Sequence, residues 1–357
     1  MRNSTTFIKL ISFLVMIVLC NKIKAQLPLN DATFSLQFQD DFDSLKVSKW
    51  KTSYNWGPVN NGDEYNSASN LSYITNPGYL TIKCEKLTTP ITYTPGFWGT
   101  YPYRSGVIYS KFQYKYGYFE ISAMMPKGVG YWPAFWVFDM GNPGIGPCSA
   151  YGYWNEIDML ENNGDVSARD SMAGGYVWAN PDSCLYHNKR VGQSYGFQTK
   201  VPANITQEHK YAVFWEPDRM TWYFDDKQVM TIFDSVLTPK NPLNTIINFA
   251  VDHWITPNPV TTVFPAYFKI NYLKIWQLQP DCNATVSFCS NFNAGTWNSN
   301  STVKKSISIG GSGCSDNINT SSKVNFWATD FVLLDEGTTI TDNGPGSFLA
   351  EVTKCPN

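Results

Sequence analysis

The sequence predicts an all-β protein: two packed antiparallel sheets, followed by a smaller β domain. Three observations predict it. Short runs rich in β-branched and aromatic residues recur from 34 to 277, and turn signals separate them. No long amphipathic helical period interrupts them. Near 278–283 the composition shifts, and Asn, Ser, Thr and Gly dominate from 291 to 322.

In chain order, residues 1–25 read as a secretory signal. Arg2 and Lys9 supply positive charge, and 10–19 is an apolar segment too short to span a bilayer. The 23–25 stretch, Ile-Lys-Ala, gives a cleavage site that leaves Gln26 first. No later stretch is long and apolar enough for a membrane span. The predicted strands are 79–83, 106–109, 117–124, 134–138, 211–215, 220–224, 245–251 and 266–277. Turn signals lie at Asn76-Pro77-Gly78, Lys127-Gly128, Asn162-Asn163-Gly164, Pro217-Asp218-Arg219 and Asp225-Asp226. Segment 88–103, with Pro90, Pro95, Gly96 and Pro102, reads as an inserted loop, as does the glycine-rich 141–153.

The stretch that carries chemistry is Trp154-Asn155-Glu156-Ile157-Asp158-Met159-Leu160-Glu161. On a strand, side chains alternate faces, so Glu156 and Asp158 share one face and Ile157 takes the other. Strict alternation would put Leu160 among the acids and bury Glu161 unpaired, which is costly. A β-bulge near Met159-Leu160 resolves the conflict and puts Glu156, Asp158 and Glu161 on one face. An acidic solvent face is the plain alternative, but acids are depleted in strands and like charges on one face repel.

Such a row suits cleavage of a glycosidic bond. A retaining mechanism needs a nucleophile and a proton donor with carboxyls about 5–5.5 Å apart. Glu156 and Glu161, four ladder positions apart after the bulge, have backbones about 13 Å apart at ~3.3 Å per position, which two inward-leaning side chains can span. Asp158 between them raises a neighbour's pKa toward a donor's range.

Trp132, Ala134 and Trp136 alternate onto one face, and would line a cleft if that face is concave. Trp154 and Trp178 are further candidates for stacking on sugar rings, Trp178 with core packing as an equal reading. Aromatics make up 16% of the chain and charged residues only 16%, a balance that suits carbohydrate binding. The net charge is −2 formally and −6 without the leader, and no basic run occurs, which argues against a nucleic-acid partner. Without Cys20, seven cysteines remain: Cys84, Cys148, Cys184, Cys282, Cys289, Cys314 and Cys355. The odd number implies at least one free thiol or unpaired partner. Cys148 with Cys184 is one candidate bridge, and the last four allow three pairings. With His187, His209 and His253 as the only histidines and no CxxC, metal binding is the weaker rival.

Over 38–277 the chain resembles glycoside hydrolase family 16, the laminarinase, lichenase, agarase and κ-carrageenase group. The matching segments run in order: Phe38-Gln39-Asp40-Asp41-Phe42-Asp43, Tyr103-Arg104-Ser105-Gly106, Tyr116-Gly117-Tyr118-Phe119-Glu120, Tyr131-Trp132-Pro133-Ala134-Phe135-Trp136, the acidic motif, Trp215-Glu216-Pro217-Asp218-Arg219 and the closing Phe268-Lys269-Ile270-Asn271-Tyr272. The bulged motif is that of the laminarinase and agarase branches. The resemblance implies a β-jelly-roll with a cleft across its concave sheet, over 26–280. It implies Glu156 as nucleophile, Glu161 as acid/base and Asp158 as their assistant, in endo-hydrolysis of a β-linked polysaccharide with retention. The expected substrate is a β-1,3- or mixed-linked glucan, with algal galactans (agar, porphyran, carrageenan) as the alternative. The family commonly carries a His-Gly-Thr-x-His-Trp run after the motif. Here Met172-Ala173-Gly174-Gly175-Tyr176-Val177-Trp178 has no His. No cofactor is required. The resemblance admits a structural calcium ion, although Asn271 stands where an Asp is common.

Residues 281–357 read as a small β domain held by disulfides. It resembles the compact β-stack modules at the C terminus of secreted proteins from gliding and marine bacteria, a spacer in preference to a binding role. The expectation is a secreted monomer. A lectin that kept the cleft without turnover is the rival reading, and the complete set of three acids argues against it. A structural cell-surface protein is a third, supported only by the C-terminal domain.

Overall fold

The structure, a computed structural model, describes residues 34–75, 78–94, 96–140, 155–162, 169–178, 195–217, 219–233, 238–239, 241–278, 281–288, 304–312, 316–319, 324–341 and 348–352. The strands that open the chain are β1 (Phe34–Asp40), β2 (Trp50–Lys51), β3 (Glu64–Asn66), β4 (Leu71–Thr75), β5 (Gly78–Thr92), β6 (Thr100–Ser105), β7 (Val107–Tyr114) and β8 (Gly117–Met124). They are followed by β9 (Tyr131–Phe138), β10 (Asn155–Glu161), β11 (Ser171–Trp178), β12 (Tyr195–Lys200), β13 (His209–Trp215), β14 (Arg219–Phe224), β15 (Lys227–Phe233), β16 (Leu243–Val251) and β17 (Ala266–Leu278). The last are β18 (Asp281–Phe288), β19 (Lys304–Ile309), β20 (Asp316–Asn319), β21 (Val324–Leu334), β22 (Thr338–Thr341) and β23 (Phe348–Val352).

Two large sheets form the body, as the sequence predicts. One has the order β15-β14-β13-β8-β17-β5-β6-β3, with β1 on β17 and β4 on β5. The other runs β12-β11-β10-β9-β16-β7-β2. All pairings in this body are antiparallel except that of β3 with β6. Between the sheets lies one apolar core. Phe119, Ile121, Tyr211, Val213 and Leu273 come from the first sheet, and Phe135, Val137, Ile157, Met172 and Ile247 from the second. Each of these strands sends alternate residues inward, the period that buries one sheet face. The opposite face of the second sheet carries a smaller cluster, including Trp136, Phe138, Ala134, Ile246, Tyr109 and Tyr54. The site lies on that face.

Turns follow their residues. Asp225 and Asp226 join β14 to β15 with φ of 45° and 63°, the left-handed pair that a two-residue hairpin needs and that Asp tolerates. Segment 88–103 departs from the loop the sequence suggests. It is a hairpin in which β5 continues to Thr92 and pairs with β6 through Ile91↔Tyr101 and Thr92↔Thr100. Pro90 signals a break in the sequence. In the fold it falls where the register slips between Lys86 and Ile91, so its missing N–H interrupts no regular ladder.

Beyond Asp281 the pairing changes to parallel. β18, β19, β21 and β23 form a four-stranded sheet, and β20 pairs with β22. Successive passes of the chain thus stack in parallel, four strands in one sheet and two in the other. Among the described residues, no strand of this part pairs with the large sheets. The signal segment lies outside the described residues, as do Cys148, Cys184 and the side chains of the four C-terminal cysteines, and with them every proposed bridge. Cys84 is a free thiol, fully buried in the core. No helix among the described residues is long and apolar enough to cross a membrane.

Candidate active site

The floor of the site is β10, placed centrally between β9 and β11. Its pairing with β9 runs Glu156↔Phe138, Ile157↔Val137, Asp158↔Trp136, then Leu160↔Phe135 and Glu161↔Ala134. Two residues on β10 thus span one step on β9, and the same slip occurs against β11 between Asp158 and Glu161. This is the bulge that the cost of burying Glu161 demands. Ile157, Met159 and Leu160 are all fully buried, whereas Glu156, Asp158 and Glu161 stay partly accessible. All three carboxylates line one cleft of about 350 Å³ on the outer face of the second sheet.

Packing fixes the strand from behind. Trp222 of β14 donates its indole N–H to the Asp158 carbonyl at 3.0 Å, across from the opposite sheet. Gly174 of β11 makes room for this contact. A Cβ there would lie 2.4 Å from Trp222 Nε1 and 2.8 Å from the Asp158 carbonyl oxygen. Gly174→Ala is expected to cost about 1–3 kcal/mol by overpacking, read as a lowered melting midpoint, and to displace Asp158 as well.

The electrostatics separate the acids. Burial holds the Asp158 carboxyl well above the usual range, and the charges of Glu161 and Glu156 raise it further, as does a side-chain hydrogen bond with Glu156. Each of these causes favours the protonated form of Asp158, which is hydrogen-bonded to Glu156. Glu161 is pushed up to about 7 by burial, with smaller contributions from Glu156 and Asp252. The Trp132 indole N–H donates to Glu161 Oε1 at 2.6 Å and opposes that rise.

The aromatic face of β9 is in the cleft. Trp132, Ala134, Trp136 and Phe138 all line it. Trp132 is half-buried and bonded to Glu161. Trp136 is nearly covered and donates to Asn248 Oδ1 at 2.8 Å, so it supplies cleft floor more than a free ring face. Trp154 and segment 141–153 lie outside the described residues; Trp178 is described only as a strand residue opposite Asn155.

Several lining residues have no signal in the local sequence: Trp56, Phe97, Trp98, Asn248 and Trp254. They converge from 56–61, from the tip of the β5–β6 hairpin and from the end of β16. Trp56, Phe97, Trp98 and Trp254 are exposed large aromatics in turn-rich segments, whereas Asn248 is a buried amide within β16. His209 is satisfied by Asp225 at 2.8 Å and the Asn204 carbonyl at 3.1 Å. His253 is held by Asp63 and packs flat on Trp98. Arg104 pairs with Glu85 at 2.7 Å and does not line the cleft. Lys189 and Arg190 lie outside the described residues. At the position suggested for a calcium ligand, Asn271 donates its amide to Glu208, which also accepts from Ser122 and Tyr79. Among the described residues no three His, Cys, Asp or Glu side chains converge as a metal centre.

Known proteins match this architecture. The family description "Glycosyl hydrolases family 16" matches residues 60–263, more than half of the chain. Endo-1,3-1,4-beta-glycanase EglC of Rhizobium meliloti is 27% identical over 281 residues, covering 71% of this chain and 54% of that protein. The chain thus spans about half the length of the curated relatives it matches. The catalytic domain of an endo-1,3-beta-glucanase (laminarinase) from Thermotoga petrophila superposes with a TM-score of 0.55 at 25% identity, covering 68% of this chain and 98% of that one. Porphyranase B from Zobellia galactanivorans gives a TM-score of 0.57 at 19% identity, covering 68% and 92%, which shows the shared fold alone. With two sheets, a bulged acidic strand and this match over most of the body, the chain belongs to glycosyl hydrolases family 16.

Proposed function

We propose that this protein is an endo-acting retaining glycoside hydrolase that cleaves a neutral β-1,3- or mixed-linked glucan. One observation carries the reading: the bulged strand aligns Glu156, Asp158 and Glu161 on the cleft floor, with the pKa of Glu161 raised to about 7. A carboxyl in that range is still protonated near neutrality and can donate.

In the first step Glu156 attacks the anomeric carbon, and a new C–O bond forms as the glycosidic C–O bond breaks. Glu161 gives its proton to the departing oxygen. In the second step a water attacks the same carbon, Glu161 takes its proton, and the ester bond to Glu156 breaks. Two inversions give retention. Asp158, hydrogen-bonded to Glu156, holds that carboxylate in place. No metal or cofactor enters these steps.

The neutral-glucan reading is supported by the lining. Its described residues are aromatics, amides, Ala and the three acids, with no Arg or Lys among them. A sulfated galactan would call for cations to pair with its sulfates. Two relatives, an endo-1,3-1,4-beta-glycanase and a laminarinase, point the same way. We also assign 26–280 to the catalytic body and 281–357 to a spacer module; the strands from Asp281 onward pair only with one another among the described residues. Export through the 1–25 leader and a monomeric state complete the proposal.

The test is a reducing-end assay of purified protein against laminarin, lichenan, agarose, porphyran and κ-carrageenan. Release from a glucan is the expected result. Release from a galactan only would overturn the substrate class. Within the same assay, Trp132→Phe removes the indole donor that holds the pKa of Glu161 down. The alkaline limb of its pH profile is therefore expected to move to higher pH; an unmoved limb would separate Glu161 from that limb.

A further inference from the structure

The strand that carries the acids ends at Glu161, just past its bulge, where the ladder to both neighbours has slipped. Strand ends open more readily than strand centres, so a carboxyl placed there needs something to hold its backbone. The Trp132 indole grips the carboxyl itself but not the chain that carries it. The next residue, Asn162, opens the Asn162-Asn163-Gly164 run that reads as a turn in the sequence. It is not a solvated turn residue. Asn162 is fully buried, next to an acid that works in an open cleft.

Asn162 donates to carbonyls on both sides of β10. Its backbone N–H donates to the Pro133 carbonyl of β9 at 3.4 Å. Its side-chain amide donates to the Ser171 carbonyl at 3.2 Å and to the Arg169 carbonyl at 3.4 Å, where β11 begins. Two carbonyl oxygens at one end of the amide identify that end as the NH2 group. The segment it grips is itself anchored. Asp170 accepts from Lys127 Nζ and from the Ile205 N–H, each at 3.0 Å, and its carbonyl accepts from the Val201 N–H at 3.0 Å. The Asn162 amide oxygen has no hydrogen-bond partner among the described residues. An unpaired buried oxygen is costly, and an apolar side chain would fill the same space without that cost. What the amide donors hold, rather than packing, explains the residue.

In register, Glu161 pairs with Ala134 on β9 and with Ala173 on β11, and Asn162 sits one position beyond both pairs. Its bonds close the ladder on each side at the point where Glu161 leaves it. Glu156 lies toward the opposite end of β10, beyond the bulge, and keeps its own pairs with Phe138 and Val177. Loosening Asn162 therefore frees the backbone under one catalytic carboxyl and not the other. We propose that Asn162 is a positioning residue for Glu161: by gripping the Arg169 and Ser171 carbonyls it fixes the strand end from which that carboxyl reaches the leaving oxygen. Its effect falls on proton transfer to the leaving group, not on nucleophilic attack. This rests on the hydrolase reading above.

The test compares Asn162→Ala with the unsubstituted protein on two substrates: laminarin, and an aryl laminari-oligosaccharide with an acidic leaving group. The measured quantity is kcat/KM, which reads the steps up to the glycosyl-enzyme. Laminarin needs its departing oxygen protonated there, and the aryl glycoside needs this little. On laminarin a loss of about 10²-fold is expected, the scale of a misplaced catalytic group. On the aryl glycoside the loss should be much smaller. The ratio of the two losses does not depend on the folded fraction, so a destabilised variant still gives the answer. Asn162→Ser, which keeps one donor, is the milder second variant and should fall between Ala and the parent. In a Glu161→Gln background, Asn162→Ala should add little to the loss on laminarin, because the group it positions is already gone. Equal losses on the two substrates, or a full further loss in the Glu161→Gln background, would reduce Asn162 to general strand order and overturn the proposal. So would a folded Asn162→Ala with parental activity on laminarin. If the unsubstituted protein cleaves neither substrate, the hydrolase reading falls, and this role falls with it.

Discussion

Glu156→Gln is expected to lower kcat on a β-glucan by about 10⁵-fold or more, the scale on which removing a nucleophile acts. The amide keeps the volume and much of the hydrogen bonding of the carboxylate. It cannot form the glycosyl ester, because the amide oxygen is too weak a nucleophile. The core behind it, with Ile157, Met159 and Leu160 fully buried, is untouched. Polysaccharide binding and the melting midpoint should therefore remain close to those of the parent protein. The measurement is single-turnover hydrolysis with affinity electrophoresis in parallel. Residual turnover within tenfold of the parent would remove Glu156 from the nucleophile's role.

Glu161→Gln should show a different pattern. On natural glucan its loss is expected to cost about 10²–10⁴-fold, the usual contribution of a proton donor. On an aryl glycoside with an acidic leaving group the first step needs little protonation, so the deficit there should shrink markedly. The pH profile gives an independent reading. The pKa of Glu161 is raised to about 7, so its proton is present below that pH and lost above it. Activity of the parent protein on glucan should fall as pH rises through about 7, and that alkaline limb should vanish in the variant. A variant as active as its parent on glucan, with the limb intact, would overturn the assignment.

Much of this site is legible in the sequence because it rests on local rules. Glu161 cannot be buried unpaired, so the strand must bulge, and the slip at Met159–Leu160 is where that cost places it. Trp132 and Trp136 fall on the cleft face because strands alternate. The hairpin at 88–103 is not legible, because Pro90 and Pro102 carry a break signal that the bulge in β5 absorbs. Trp98 and Trp254 escape sequence reading for another reason. Their place in the cleft comes from partners far along the chain, Asn61 and His253 for the one and the hairpin tip for the other. The link from Trp222 to the back of Asp158 is likewise a contact between sheets that no local pattern encodes. The parallel pairing after Asp281 is hidden because short alternating runs look the same in parallel and antiparallel sheets.

The central claim is double displacement at Glu156 with Glu161 as acid and base. Proton NMR of the first products from a β-linked glucan tests it most directly, before the anomers equilibrate. The account predicts that the β-hemiacetal forms first, with the α-anomer growing in only by mutarotation. An α-anomer released first would mean a single inversion by water, and would contradict both the nucleophile's role for Glu156 and the acid/base role for Glu161.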